Sequence, residues 1–307
     1  MNFKTGKKII SGIENFLFER PWTSNEFLSF FRITIGLFIL LHHFSVLSDL
    51  HILYGFHAVV PSEVNNLYVD PYVLTASKIN RFLKLDESTF WLAFNILYIS
   101  LAAFIAVGFL TKLSVIIMIF LHTALIQSGV FFTYGADFFL SMSLFYLLLF
   151  PVEHHLSVDS KIFTIRIREN YVIYRRFLQL HLAIAYSFSG FDKMLGINWR
   201  NGESIWKSLT LPYSNMDFQL NFSGLAHTPI LLVIAGWTVI LIEMCYPIIF
   251  FKPLKKIWLG LTISMHMGIM LVLNLYFFST IMIIWNIAAF YNFEPVKVKS
   301  IKPALDI

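Results

Sequence analysis

Eight apolar runs, each close to the length of a membrane-spanning helix, constrain what this 307-residue chain can fold into. A helix needs about 20 apolar residues to cross the hydrocarbon core of a bilayer. The runs cover roughly residues 25 to 47, 89 to 110, 113 to 131, 133 to 151, 172 to 192, 230 to 251, 257 to 273 and 276 to 292. Because backbone polar groups in lipid must be paired within the protein, we expect an all-α, polytopic transmembrane helix bundle of about eight spans.

Composition supports a membrane location for this bundle. Hydrophobic residues make up 57% of the chain and charged residues 13%, whereas a soluble domain has about 25% charged residues. We therefore expect one transmembrane domain over residues 1–307, with no separate soluble domain. The last two runs are separated only by a tight turn near Asn274, so a seven-span fold with one overlong helix stays open.

The basic residues predict how the bundle is oriented. Sixteen of the 23 Lys and Arg residues fall in connections on one side and six on the other, which places both termini in the cytoplasm by the positive-inside rule. The loops at about 48–88 and 193–229 then face outward. This clustering also explains the net charge of +5 without a nucleic-acid partner. We expect an integral protein of the bacterial cytoplasmic membrane, in contact with membrane lipid.

Charged and histidine side chains inside the apolar runs are the first candidates for function. A charge in hydrocarbon costs about 2.5–3.5 kcal/mol or more and needs a partner or water. The residues are Arg32, His42, His43, His122, Asp137, His181, Glu243 and His266. Arg32 is most simply a structural charge, ion-paired with Glu243 or Asp137. No ligand spacing such as H-E-x-x-H is present, so we predict no metal site.

Three of these residues each fit a structural and a functional interpretation. Asp137 follows Gly135 near the start of a run, where an acid commonly stabilises a helix N-terminus. His181 and His266 lie near the middle of their runs. They fit an interhelical hydrogen bond and a functional role equally well.

Lys193 has the most distinctive setting, in the stretch SFSGFDKMLGINWRNG at 187–202. It ends an apolar run on the predicted outer side, so a lysine extending to the headgroup level, with Trp199 as an interface anchor, is the simplest interpretation. The functional interpretation is an amine in a partly desolvated pocket, whose neutral form acts as a base. The residues alone favour the first interpretation.

Several stretches in order carry a resemblance to a known family. They are FFRITIGLFIL, YGFHAVVPSEV, TYGADFFLSMSLFYLLLFP with LSVDS, RRFLQLHLAIAYSFSGFDKMLGINWRNGESI, LIEMCYP and SMHMGIMLVLNLYFFSTIMI. Over nearly its whole length the chain resembles the HTTM proteins, which are membrane-domain relatives of vitamin K-dependent gamma-carboxylase. The helix with Tyr186 and Gly190, running into a lysine, a short turn, a tryptophan and a glycine, is the strongest part of the match.

The resemblance implies a set of roles. Lys193 matches the lysine that deprotonates vitamin K hydroquinone in the carboxylase, and a reduced vitamin K-like quinol is the implied cofactor. Glu243 and His266 would orient the quinol or relay protons. The implied substrate or cofactor pocket contains Asp137, His181, Tyr186, Trp199 and Gly202. The positive-inside count places Lys193 on the outer side, where chemistry on exported proteins takes place.

Departures from the family leave more than one function open. A large luminal domain has no counterpart here, so we do not expect a propeptide-guided glutamate carboxylase. The carboxylate of Asp192, where the carboxylase has a second lysine, opposes the use of Lys193 as a base. The first hypothesis is a membrane enzyme with carboxylase-like or epoxidase-like chemistry. The alternative is a non-catalytic membrane partner in the maturation or export of a small secreted peptide, and a small-molecule transporter comes third.

Overall fold

The computed structural model describes residues 25–153, 156–163, 171–212, 214 and 217–293. Within these ranges every regular element is helical and no strand is present, so the all-α prediction is confirmed. The eight longest helices are α1 Glu26–Val46, α2 Glu87–Val107, α3 Thr111–Ser128, α4 Gly135–Leu149, α5 Val172–Leu195, α6 Pro229–Met244, α7 Lys255–Leu273 and α8 Tyr276–Phe290.

Each predicted apolar run coincides with one of these helices. The largest difference is at α6, which ends at Met244 because Pro247 cannot continue an α-helix and a 3-10 helix, Tyr246–Phe250, follows. Four of the helices, α1, α2, α3 and α7, are long and apolar enough to cross a membrane. Helices α4, α6 and α8 are apolar but shorter.

The turn between α7 and α8 decides between one overlong helix and two. Asn274 has a left-handed backbone conformation, with φ +55°, immediately after α7 ends. Asparagine tolerates this conformation better than most residues, and it commonly terminates a helix there. Helices α7 and α8 then pack extensively against each other, so the predicted tight turn near Asn274 is confirmed.

Helix α8 lies at the centre of the bundle, since it packs against α1, α4, α5 and α7. Its Trp285 is fully buried and donates from Nε1 to Ser143 Oγ of α4 at 2.8 Å. Helices α1, α2, α3 and α4 form a consecutively packed group on one side of α8, and α5 packs against α6 on the other. The core is largely aromatic and aliphatic, which is consistent with helices that bury apolar faces against one another.

Arg32 is fully buried and binds main-chain carbonyl groups at the end of α2. Its Nη1 donates to Ile105 O at 2.9 Å and to Ala106 O at 2.5 Å. Its Nε donates to Val152 O at 3.2 Å, and Nη2 donates to Leu156 O at 2.6 Å. The last carbonyls of a helix have no partner within the helix, and a cation there also interacts favourably with the helix dipole.

The expected partners of Arg32 therefore need correction. The carboxylate of Glu243 instead accepts from Lys193, and that of Asp137 accepts from the N–H of Tyr134. Asp159 is the carboxylate that acts electrostatically on the guanidinium. The structural role assigned to Arg32 fits the structure, but carbonyl oxygens satisfy most of its donors.

Two further cations cap helix C-termini in the same way. Lys112 Nζ donates to Leu147 O at 3.0 Å, to Leu148 O at 2.9 Å and to Phe150 O, at the end of α4. Arg175 donates from Nε to Ala289 O at 2.9 Å, at the end of α8. Three helix C-termini are thus each tied to a cation from another element.

Replacing Arg32 by methionine should destabilise the protein. The change keeps apolar volume but leaves buried carbonyls unpaired, and we expect a loss of about 3 kcal/mol in the free energy of unfolding. Chemical denaturation in detergent micelles measures this loss. Arg81→Met is the matched control, because Arg81 is exposed and should change stability by less than about 0.5 kcal/mol. Equal stability of the two variants would contradict the capping role.

Candidate functional site

One face of α5 carries the residues that build the site. Tyr186, Gly190 and Lys193 are spaced by four and three residues, so they lie on the same side of the helix. Gly190 contacts the C-terminal end of α6, where a Cβ atom would lie 2.2 Å from Met244 N. The absence of a side chain at Gly190 therefore allows α5 and α6 to approach closely, and it brings Glu243 next to Lys193.

Lys193 and Glu243 form a shielded ion pair between α5 and α6. Lys193 Nζ lies 2.6 Å from Glu243 Oε2, and it also donates to Ser189 Oγ at 2.6 Å. The side chains of Lys193 and Glu243 are only 19% and 8% exposed. Pairs shielded to this degree are screened less by solvent than surface pairs, so each partner depends on the other. Asp192 is exposed on another face of α5, so Glu243 is the carboxylate that holds the lysine.

The turn after α5 places an aromatic ring beside the amine. Lys193 Nζ lies 5.3 Å from the ring centroid of Trp199, within the range of a cation–π interaction. Trp199 belongs to a short helix, Ile197–Arg200, that packs closely against α6 at Gly236, where a Cβ atom would lie 2.3 Å from Trp199 O. Gly202 has φ +83°, and a side chain there would clash with Leu232 of α6. Glycine at both positions lets the turn lie flat against α6.

A buried hydrogen-bond network lies next to this pair. Tyr186 OH lies 2.6 Å from His266 Nε2 of α7, and Asn286 Nδ2 of α8 donates to Tyr186 OH at 2.9 Å. Tyr246 OH donates to Asn286 Oδ1 at 2.6 Å, and its ring stacks on that of Tyr186 with centroids 4.3 Å apart. The network joins α5, α7, α8 and the 3-10 helix that follows α6.

The ion pair and the buried network are close enough to interact electrostatically. The charge of Lys193 acts on His266, and the charge of Glu243 acts on Tyr186. Together they form one polar site inside apolar helices, with ionisable groups of both signs beside hydroxyl and imidazole groups. Such a site is suited to moving a proton and to binding a ligand through oxygen atoms.

The structure brings five of the predicted site residues together, and a sixth supports them. The five are Lys193, Glu243, His266, Tyr186 and Trp199. Gly202 shapes the adjoining turn and presents no chemical group. The remaining two predicted pocket residues, Asp137 and His181, contact other parts of the bundle.

Asp137 lies at the N-terminus of α4, where its Oδ2 accepts from Tyr134 N at 3.1 Å. This is the helix-stabilising role that its position predicted. The main-chain oxygen of Asp137 lies 3.4 Å from His122 Nε2, and His122 Nδ1 lies 3.1 Å from Tyr98 OH. His43 stacks on Tyr98 and lies 3.0 Å from Asn95 Oδ1. This second polar cluster connects α1, α2, α3 and α4.

His181 forms a separate pair with Tyr146 of α4, with His181 Nδ1 2.9 Å from Tyr146 OH. Its ring also packs edge-on against Trp285, with centroids 5.1 Å apart. His181 lies twelve residues before Lys193 on the same helix, which corresponds to about 18 Å along the axis. The residue therefore belongs to the central packing around α8.

Three residues of the site were missed by the sequence analysis: Ser189, Tyr246 and Asn286. A search restricted to charges and histidines passes over neutral polar groups, although those groups also need partners in an apolar environment. Asn286 was recognisable as an amide inside the run IMIIWNIAAF, and Tyr246 follows Glu243 in LIEMCYP. An inventory of all polar residues within the runs would have found both.

Among the described residues, no group of three or more His, Cys, Asp or Glu side chains is arranged to hold a metal ion. No family model matches the chain, and no curated protein and no solved structure is significantly similar to it.

A double-mutant cycle measures how strongly Lys193 and Glu243 depend on each other. Each single variant, Lys193→Met or Glu243→Met, leaves a charge poorly compensated, and we expect a loss of about 3 kcal/mol in stability, which the double variant partly restores. Lys207 and Glu203 are the matched control, since they are also 2.6 Å apart but 62% and 41% exposed. Their coupling should stay below about 0.5 kcal/mol. Equal coupling energies in the two cycles would contradict a shielded pair.

Proposed function

We propose that this chain is an integral membrane protein of eight spans that binds a membrane quinol beside Lys193 and takes a proton from it. The observation that carries the proposal is the Lys193–Glu243 pair, 2.6 Å apart and adjacent to the buried Tyr186–His266 contact. A carboxylate, an amine, a phenol and an imidazole thus lie next to one another among apolar helices. The resemblance to the vitamin K-dependent carboxylase relatives supplies the ligand class and the reaction type.

The residues present fit a quinol. A quinol has two polar oxygens on a flat ring and an apolar substituent, so its site needs donors or acceptors at one end and an apolar surface at the other. Lys193 and His266 supply nitrogen atoms, and His266 Nδ1 is buried with no hydrogen-bond partner among the described residues. Trp199 supplies an aromatic surface next to the amine. Phe188 and Leu195, 72% and 62% exposed on α5, offer apolar surface for contact with lipid or a lipid-like tail.

A bound quinol would supply an acidic hydroxyl and, with dioxygen as the oxidant, an oxidisable ring. The chain's own part is proton transfer. In the ion pair the lysine holds the proton, so Lys193 becomes a base only after that proton moves across to Glu243. The 2.6 Å separation of Nζ and Oε2 is short enough for this transfer. Lys193 then takes the hydroxyl proton, and Ser189 and Trp199 keep the amine in position.

An oxygenation assay tests this proposal. Purified protein is loaded anaerobically with a reduced naphthoquinol and then exposed to oxygen, and mass spectrometry detects the epoxide; the quinol and dioxygen together give the epoxide and water. We expect epoxide from the unchanged protein and a loss of at least about 100-fold in Lys193→Met, in keeping with the removal of a general base. Lys207→Met, which removes an exposed paired lysine, should keep full activity.

Two outcomes would count against the proposal. Full epoxide formation by Lys193→Met would exclude the lysine as the base. Absence of both epoxide and quinol binding in the unchanged protein would favour the alternative, a non-catalytic membrane partner for a small secreted peptide, with Lys193 and Glu243 as a structural pair between α5 and α6.

The positions of the capping cations support the topology with both termini in the cytoplasm. Arg32, Lys112 and Arg175 bind the C-terminal ends of α2, α4 and α8, which the positive-inside count places on the cytoplasmic side of the bacterial membrane. In an eight-span bundle these three ends lie on one side. The four helices that are both long and apolar enough to cross a membrane include α2 but not α4 or α8, so the span count itself needs a test.

Cysteine labelling in intact cells provides that test, in a variant whose Cys245 is replaced by serine. Tyr72 lies in the predicted outer loop and is 95% exposed, and Lys252 lies in an exposed stretch between α6 and α7. A membrane-impermeant maleimide should label Tyr72→Cys at once and Lys252→Cys only after the cells are permeabilised. The opposite order of labelling would reverse the topology, and labelling of both without permeabilisation would exclude eight spans.

A further inference from the structure

The orientation of the Asn286 side chain is fixed by its neighbours. Its Nδ2 lies 2.8 Å from the carbonyl oxygen of Met282 and 2.9 Å from Tyr186 OH, and its Oδ1 accepts from Tyr246 OH at 2.6 Å. Turning the amide over would place its oxygen against the Met282 carbonyl, so two acceptors would face each other. Only the amide nitrogen can point toward Met282 and Tyr186.

The fixed amide determines the direction of the next hydrogen bond. Tyr186 OH accepts a hydrogen bond from Asn286 Nδ2, so its own O–H needs an acceptor elsewhere. His266 Nε2, at 2.6 Å, is the acceptor that the contact provides. A hydroxyl that accepts on one side and donates on the other continues the chain in a single direction, from Tyr246 through Asn286 and Tyr186 to His266.

The last hydrogen bond of this network determines which ring nitrogen of His266 carries the proton. In its uncharged form the ring has one N–H, and because Nε2 accepts from Tyr186 the proton must lie on Nδ1. His266 is 2% exposed, and Nδ1 has no hydrogen-bond partner in the part of the chain that the structure describes. A buried N–H without an acceptor is unfavourable, so an acceptor atom from a bound molecule would stabilise it.

We infer that Tyr246 and Asn286 are positioning residues that hold His266 in the Nδ1–H form, so that this N–H donates to an acceptor oxygen of the bound ligand. The ligand class is a carbonyl or phenolic oxygen on a flat, largely apolar ring. This inference rests on the proposed function, because the second group that contacts the same ligand is Lys193. It gives the two residues separate roles. Lys193 exchanges a proton with the ligand, whereas His266 binds a ligand oxygen through an N–H that keeps its proton.

Solid-state NMR of protein with ¹⁵N-labelled histidine tests the tautomer directly, without ligand or turnover. Protonated and unprotonated ring nitrogens resonate in well-separated regions, and the spectrum of His266→Gln identifies the signals of His266. We expect a protonated Nδ1 and an unprotonated Nε2. Protonation at Nε2 instead would overturn the inference.

Two variants test whether the network sets this preference. In Asn286→Leu, Tyr186 is free to donate or accept, so both tautomers of His266 should appear. Tyr146→Phe is the matched control, since it removes the tyrosine that contacts His181 and should alter the His181 signals while leaving those of His266 unchanged. A single, unchanged tautomer in correctly folded Asn286→Leu would show that Asn286 and Tyr246 do not position His266.

A pair of probes tests the ligand contact. The oxidised quinone 2-methyl-1,4-naphthoquinone has two acceptor oxygens, and 2-methylnaphthalene has the same ring without them. We expect the Nδ1 resonance to shift with the quinone and to stay in place with the hydrocarbon. No shift, or the same shift with both probes, would exclude donation to a ligand oxygen. Either result is separate from the oxygenation assay, which depends on Lys193 and on the reduced quinol.

Discussion

Cations bound to the C-terminal ends of helices hold this bundle together. An apolar helix has orphan carbonyls at its end, and a buried cation has donors without water, so each satisfies the other. Arg32, Lys112 and Arg175 do this for α2, α4 and α8. Because each cation belongs to a different element from the helix that it caps, the contacts also fix how the elements sit relative to one another. Lys112 and Arg175 also belong to the basic residues whose uneven distribution predicts the orientation of the chain, so two of these side chains serve packing and also enter that prediction.

The candidate site follows from the way α5, α6, α7 and α8 meet. Gly190 allows the end of α6 to approach α5, and this approach places Glu243 against Lys193. The 3-10 helix that follows α6 carries Tyr246 back into the core, where it binds Asn286 and stacks on Tyr186. The shielded Lys193–Glu243 pair therefore lies next to His266, where the directed series of hydrogen bonds ends. The ion pair can pass a proton between its two members, whereas the hydrogen-bond network keeps a proton on His266 Nδ1. A site that deprotonates a ligand hydroxyl while it holds the ligand ring needs both properties.

The sequence predicted the helices well because apolar runs of this length have few alternatives in lipid. It also predicted that Lys193, Glu243, His266, Tyr186 and Trp199 belong together, through the resemblance and not through spacing. The partners of Arg32 were not predictable, since main-chain carbonyls leave no mark in a sequence and any charged residue in a helix suggests a carboxylate partner. Asp137 and His181 were grouped with the site because a linear inventory gives no distances between helices. Asn286 was missed because the candidates were limited to charged and histidine side chains. Its neutral amide nevertheless determines the direction of the buried hydrogen bonds.

The most direct measurement is a cryo-electron microscopy structure of the protein in lipid nanodiscs with 2-methyl-1,4-naphthoquinone bound. We propose that Lys193 and His266 are the two groups that hold the oxygens of a quinone ring. On this proposal we expect ring density beside Trp199, with one oxygen within hydrogen-bond distance of Lys193 Nζ and the other within that distance of His266 Nδ1. A quinone located elsewhere in the bundle, or an ion pair and imidazole without ligand density at saturating quinone, would contradict it.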